Sequence, residues 1–135
     1  MKLNVDCVRD VMLKIEELQR VFVNDNGEVE KDALWIDSLY SALSNYGKEE
    51  IFYALYNLDQ AGYIDISVQW INGCVYTCAI NHMTYEGHEF LSKIRPATVW
   101  EKTTGIAGKV GNFGLQMLEK IAEGVATACV KELLL

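Results

Sequence analysis

The dipeptide Asn72-Gly73 lies between two runs of alternating apolar and polar residues, and this pattern constrains the fold of the chain most. Asn-Gly favours a two-residue β-turn, so residues 64–80 are predicted to form a hairpin. Because a strand is pleated, alternate side chains share a face. The predicted core face consists of Ile64, Ile66, Val68, Trp70, Val75, Thr77 and Ala79.

Apolar residues at spacings of three and four predict helices on both sides of the hairpin. The first begins after the N-cap Asn4, and its apolar stripe continues to Phe22, before the turn at residues 24–27. A short second helix lies within 28–46, with Asp37 as a candidate cap. Four more helices are predicted, at Lys48–Ala61 ahead of Gly62, Thr84–Ile94, 99–109 and Leu115–Leu134.

The order of helices and hairpin is typical of a winged-helix domain, in which two short helices precede a β-hairpin wing. We therefore predict a mostly α, α+β fold with a winged-helix-like domain over 1–95 and a C-terminal helical extension over 96–135. Glycines at four positions predict a poorly ordered linker in this extension: Gly105, Gly108, Gly111 and Gly114.

Three segments carry a family resemblance. They are the opening Met1-Lys2-Leu3-Asn4 with Asp6, Val8-Arg9 and Ile15-Glu16-Glu17, then Glu50-Ile51 through Gly62-Tyr63-Ile64, and Met83-Thr84-Tyr85-Glu86-Gly87-His88-Glu89-Phe90-Leu91 followed by Thr98-Val99-Trp100. In these segments the chain resembles the domain of unknown function 2513, a family met mainly in phages and prophages of bacteria. The resemblance implies a phage-related origin and a winged-helix-like fold, and it implies no activity. The chain departs from the family at Ala54, where a histidine is common, and at Tyr85, where a tryptophan is common.

The excess negative charge lies in the first half of the chain. Residues 1–65 carry 13 acidic and 6 basic side chains, whereas residues 66–135 carry 6 of each, which gives the net charge of −7. An acidic half repels nucleic-acid phosphates, which usually dominate the affinity for DNA. A basic protein partner is easier to accommodate.

The third helix would read DNA in a DNA-binding winged helix. Its candidate recognition or interaction residues are Lys48, Glu49, Tyr53, Asn57 and Gln60. Asn57 and Gln60 could read adenine and Lys48 could contact a phosphate, although Glu49 opposes that approach. The wing carries no Asp, Glu, Lys or Arg from Ile66 to Tyr85. A candidate basic patch follows it, at Lys93, Arg95, Lys102 and Lys109.

No metal, cofactor or catalytic site is expected. Cys74 and Cys78 would lie about 13 Å apart along one strand, too far for one zinc ion or a disulfide. The acidic residues beside His88, at the start of the fourth helix, are explained by the helix dipole. We therefore expect a protein that is not an enzyme and has no small-molecule substrate.

Two functions follow from the sequence. The first is a small regulatory or DNA-binding protein, whose affinity for DNA would be weak and salt-sensitive because few cations are available. The alternative is an acidic interaction module that binds and inhibits a host defence or regulatory protein, with DNA mimicry as one way to do so.

We expect the chain to lie in the cytoplasm of a bacterial host, where its cysteines stay reduced, and to bind no membrane. The broad apolar stripe of the last helix predicts a homodimer. The alternative for that stripe is a monomer in which the last helix folds back along the first.

Overall fold

The computed structural model describes residues 1–111 and 114–135. Within them the chain forms helices α1 (Val5–Leu18), α2 (Ile36–Ala42), α3 (Lys48–Gln60), α4 (Tyr85–Ile94), α5 (Ala97–Val110) and α6 (Leu115–Leu134). The strands are β1 (Val21–Val23), β2 (Val29–Lys31), β3 (Leu34–Trp35), β4 (Ile64–Ile71) and β5 (Cys74–Met83). The predicted mostly helical α+β class is confirmed.

Side-chain caps mark the predicted starts of two helices, α1 and α4. The Asn4 side chain accepts a hydrogen bond from the Cys7 backbone N–H (3.2 Å) at the start of α1. Thr84 accepts one from the Gly87 N–H (3.0 Å) at the start of α4. Both caps satisfy N–H groups that have no partner within the helix. Asp37 is not the cap of α2, because that helix already begins at Ile36 after Trp35.

The hairpin of β4 and β5 is confirmed at its turn. Asn72 and Gly73 have φ values of 53° and 78°, as a type I′ turn requires. Trp70 pairs with Val75, but Gln69 then pairs with Thr77, so Tyr76 is an extra residue in β5. A second irregularity leaves Asn81 without a partner in the register, because Asp65 pairs with His82 and Ile66 with Ile80.

These bulges change which side chains of β5 face the core. Cys78 and Ile80 are 1% and 2% exposed, whereas Thr77 and Ala79, predicted on the core face, are half-buried. The prediction that Trp70 is a core residue is also wrong, because its side chain is 53% exposed. Burial decreases along β4 toward the turn, and Trp70 lies in the part of the hairpin that leaves the core.

A second hairpin, β1–β2, was not predicted. Helix α1 ends at Leu18, so Phe22 lies in β1 and not on the α1 stripe. The Asn24 side chain accepts hydrogen bonds from the N–H groups of Asn26 (3.0 Å) and Glu28 (2.9 Å) and closes the turn. The remaining short strand, β3, pairs with β5, which gives a three-stranded sheet in the order β3-β5-β4.

The C-terminal helices share one hydrophobic core with the preceding elements. Buried side chains of α5 and α6 in this core include Trp100, Ala107, Leu115, Leu118 and Ala122. Helix α6 packs mainly against α5 and α4 and not along α1. Helix α5 continues through Gly105 and Gly108, so residues 105–110 of the predicted glycine-rich linker are helical; residues 112–113 of that linker lie outside the described residues.

No helix in the described ranges combines the length and the apolar content that a membrane span requires.

Candidate interaction surface

The five candidate residues of α3 lie along the side of this helix that is not fully buried. Lys48, Glu49 and Gln60 are exposed, whereas Tyr53 and Asn57 are half-buried. Lys48 lies over the Tyr40 ring, with Nζ 5.3 Å from the ring centroid, so part of its charge is directed to a cation–π contact.

The C-terminal end of α3 faces the start of α6. Asn57 and Gln60 line a cleft of about 310 Å³ together with Gly114, Leu115 and Gln116. The Asn57 side-chain amide donates to the Tyr53 carbonyl within the helix (2.8 Å). The two amides proposed to read adenine therefore lie beside another helix of the same chain.

An aromatic surface forms where α3 meets the β4 strand. We use this name for Phe52, Tyr56 and Trp70. The Trp70 ring contacts the Phe52 ring edge-on, with centroids 5.6 Å apart at 90°, and Phe52 lies 6.2 Å from Tyr56. Trp70 and Tyr56 are both exposed. This edge-to-face packing holds a large apolar side chain in a defined position at the surface.

Little charge surrounds the hairpin part of this surface. The sequence from Ile66 to Tyr85 contains no Asp, Glu, Lys or Arg. On α3, Asp59 accepts a hydrogen bond from the Ile66 N–H (3.0 Å), and Glu50 accepts one from the Asn4 side chain (2.7 Å). These two carboxylates serve to join α3 to its neighbours.

The four residues of the candidate basic patch have different surroundings. Lys93 forms an ion pair with Glu119 of α6 (3.8 Å), and both terminal nitrogens of Arg95 donate to the Glu16 carboxylate. This pairing raises the pKa of Arg95 and lowers the pKa of Glu16. Lys102 and Lys109 instead line a groove between α5 and α6. Lys93 and Arg95 thus already have carboxylate partners.

Both histidines line another cleft, of about 260 Å³, beside the β1–β2 hairpin. His82 and His88 meet Glu16, Gln19 and Lys31 there. Within the described part of the chain, no group of three or more His, Cys, Asp or Glu side chains is arranged to hold a metal ion.

The cysteines of the hairpin have contrasting environments. Cys74 is exposed beside the turn, whereas Cys78 is buried. Burial, followed by the nearby charges of Asp59 and Asp37, raises the pKa of Cys78 to about 11. Its thiol is therefore protonated at neutral pH and serves as apolar packing.

The prediction that Trp70 is a core residue hid the aromatic surface, because Trp70 is one of its exposed members. Phe52 and Tyr56 are four residues apart and so share one side of the helix. Trp70 lies two residues before the turn. An aromatic residue so close to a two-residue turn is the signal that could have indicated exposure.

The architecture defines a small α+β protein with an exposed aromatic surface next to a hairpin that carries no Asp, Glu, Lys or Arg from Ile66 to Met83. The chain belongs to the family described as Hypothetical protein (DUF2513), whose family model matches residues 2–112. Comparison with curated proteins and with solved structures gave no match.

Proposed function

We propose that the protein is a non-enzymatic interaction module that docks its aromatic surface onto another protein. The observation that carries this proposal is the position of Trp70, which is half exposed and packed edge-on against Phe52. Tryptophan and tyrosine are enriched among the residues that dominate binding energy at protein interfaces. A preorganised ring loses little conformational freedom on binding, which favours affinity.

The charge distribution favours a protein partner over duplex DNA. Phosphate contacts need lysine or arginine, and residues 66–85 contain neither. Lys93 and Arg95 are paired with Glu119 and Glu16. The cost of freeing these cations would reduce the gain from contacting a phosphate.

The partner we propose is a basic host protein with an apolar pocket. The net charge of the first 65 residues, from 13 acidic and 6 basic side chains, attracts a basic rim around such a pocket. A phage-related origin, implied by the family resemblance, favours a bacterial defence or regulatory protein. If that protein binds DNA, the acidic half can inhibit it by DNA mimicry.

A DNA-binding regulator is the second candidate, and the order of the elements favours it. Helices α2 and α3 lie between β3 and the β4–β5 hairpin, and β5 is central in the sheet. This is the order that a winged helix requires, with α3 as the reading helix. Fold order alone does not establish function.

The test combines photo-crosslinking with matched tryptophan variants. A photoreactive residue at position 53, beside the aromatic surface, is expected to capture a protein from bacterial lysate. Trp70→Ala should abolish capture, whereas Trp35→Ala should not, because Trp35 is similarly exposed but lies in β3. Equal capture by both variants, or none by the unsubstituted chain, would contradict the proposal.

Binding to mixed-sequence duplex DNA is measured in parallel at near-physiological salt. We expect weak, salt-sensitive affinity. Tight sequence-specific binding would contradict the interaction module and favour the regulator.

A further inference from the structure

An open apolar groove runs between α5 and α6. Its volume is about 340 Å³, and its apolar lining includes Ile106, Val125, Ala128 and Cys129. The groove exists because small residues lie along it: a Cβ atom added at Gly105 would meet no heavy atom within 4 Å. No side chain of the described residues therefore fills this space at Gly105.

The apolar stripe of α6 continues past the groove into solvent. Leu133 is 86% exposed, although its spacing continues the stripe that is buried at Leu118 and Ala122 and that lines the groove at Cys129. On α5, Ile106 and Val110 are exposed as well. A helical hairpin thus presents a groove and apolar ridges side by side, and contiguous exposed apolar surface of this kind marks an interface.

We propose that a second copy of the chain covers this groove, so that two α5–α6 hairpins form a four-helix interface. In a two-fold pair the same surface meets itself, and each copy must therefore supply both the ridge and the groove. The α5–α6 hairpin supplies both. The interface includes no residue of the aromatic surface and does not depend on the proposed function.

The charges at the groove are also self-complementary. Lys102 and Lys109 on α5 and Glu132 on α6 line it. If the two α6 helices run antiparallel and cross near Cys129, residue 132 of one copy lies opposite residue 126 of the other. Residue 126 is next to Val125, and Val125 lines the groove together with Lys109. Glu132 of one copy therefore approaches Lys109 of the other. Two-fold symmetry then forms this Glu132–Lys109 pair twice in the interface.

This arrangement places the two Cys129 thiols near the two-fold axis. Packed helix axes lie 8–10 Å apart, and a Cα lies about 2.3 Å from its axis. Facing Cα atoms are then about 3.4–5.4 Å apart, and the upper part of that range overlaps the Cα separation of a disulfide. Cys129 is half-buried in the single chain and provides a site-specific reporter of the interface.

The first test is the mass in solution under reducing conditions. The chain has a mass of 15.2 kDa, and light scattering at micromolar concentration should give about twice that value. Diamide, which takes up the two electrons and two protons of a thiol pair, should then link the copies covalently. Cys74→Ser should leave this link intact and Cys129→Ser should abolish it. A monomer at all accessible concentrations, or a link that requires Cys74, would overturn the proposal.

The second test introduces charge at the ridge. Ile106→Glu should weaken association by about tenfold or more, because a carboxylate would be desolvated in the interface. Val130→Glu is the control, since Val130 is also exposed but lines a separate cleft on another side of α6, with Lys93 and Thr127. Both variants should melt cooperatively, because neither side chain is buried in the single chain. An unchanged dimer in Ile106→Glu would overturn the proposal.

Discussion

Trp70 contacts Phe52 and leaves about half of its side chain in solvent. Truncating a fully buried tryptophan typically costs about 3–5 kcal/mol. For Trp70→Ala we expect a loss of about 1–2 kcal/mol, which reflects one aromatic pair and partial burial. Chemical denaturation measures this loss directly. A loss of 4 kcal/mol or more would show that the hairpin tip is buried and would contradict the observed register.

Gly87 is needed because α4 begins against the backbone of Tyr63. A Cβ atom at position 87 would lie 2.0 Å from the Tyr63 carbonyl oxygen, which also accepts the Thr84 N–H (3.0 Å). Backbone cannot move aside as a flexible side chain can, so Gly87→Ala should destabilise the protein by about 1–3 kcal/mol. A thermal melt at unchanged midpoint would contradict this contact.

At the scale of elements, α5 has room for a side chain at Gly108, whereas α4 has no room for one at Gly87. Gly108 is exposed within α5, and a Cβ atom there would meet nothing within 4 Å. Alanine costs less conformational entropy than glycine in a helix, so Gly108→Ala should stabilise the protein by about 0.5–1 kcal/mol. The same melts that test Gly87→Ala check this opposite sign. Destabilisation would indicate that the exposed side of α5 is covered.

The elements that sequence reasoning predicted are those with local signals. Asn4 and Thr84 cap helices through their own side chains, and the Asn72-Gly73 turn follows from backbone preference. The bulges at Tyr76 and Asn81 have no such signal, because they depend on how the hairpin curves over the core. Strands β1 and β2 have only three residues each and none of them is buried, so no alternation could indicate them.

The candidate site was predicted only in part, because helical spacing shows which side chains are exposed but not which distant residues they contact. Periodicity placed Lys48 and Gln60 on the exposed side of α3, and both are exposed. It could not show that Gln60 faces the start of α6 or that Phe52 meets Trp70. Those contacts join residues far apart in the sequence, and helical spacing carries no information about them.

At the scale of the whole molecule, buried weak acids make the fold sensitive to alkaline pH. Burial, followed by the charges of Glu50 and Asp10, raises the pKa of Cys7 to about 12 from 9.0, and that of Cys78 reaches about 11. Burial and hydrogen bonds to Asp10 and Glu119 also raise the pKa values of Tyr46 and Tyr63. All four groups are favoured in their neutral forms by the folded state.

The sign of the pH dependence follows from these directions. A raised folded-state pKa gives stability that is complete below the unfolded-state pKa and is lost as pH rises toward the folded-state value. Between pH 9 and 11 each buried thiol should lower the free energy of unfolding by up to about 1.4 kcal/mol per pH unit. Denaturant titrations at pH 8 and 10.5 should show this loss.

Two cysteine variants test whether ionisation of Cys7 causes this loss of stability at alkaline pH. Cys7→Ala should reduce the decrease in stability between pH 8 and 10.5, whereas Cys74→Ala, at an exposed position, should leave it unchanged. Equal decreases in all three proteins would mean that ionisation of Cys7 does not limit alkaline stability.

The long-range contacts of α5 and α6 predict that the C-terminal part is required for folding. The Trp100 Nε1 donates to Asp6 on α1 (2.9 Å), and the Tyr63 hydroxyl donates to Glu119 on α6. Leu118 and Ala122 are completely buried in the common core. A chain that ends at residue 110 would expose the surfaces that α6 covers.

Truncation after residue 110 should therefore abolish cooperative unfolding. Burying Leu115, Leu118 and Val125 is worth about 1.5–3 kcal/mol for each side chain, and the sum is comparable with the total stability of about 5–15 kcal/mol of a typical domain. Circular dichroism during denaturation measures the effect. In the full chain, Leu118→Ala should cost about 2–5 kcal/mol, whereas Val130→Ala, at an exposed position of the same helix, should change the monomer's stability little. A truncated chain that unfolds cooperatively near the midpoint of the full chain would show that residues 111–135 are an appendage and that the core is complete without α6.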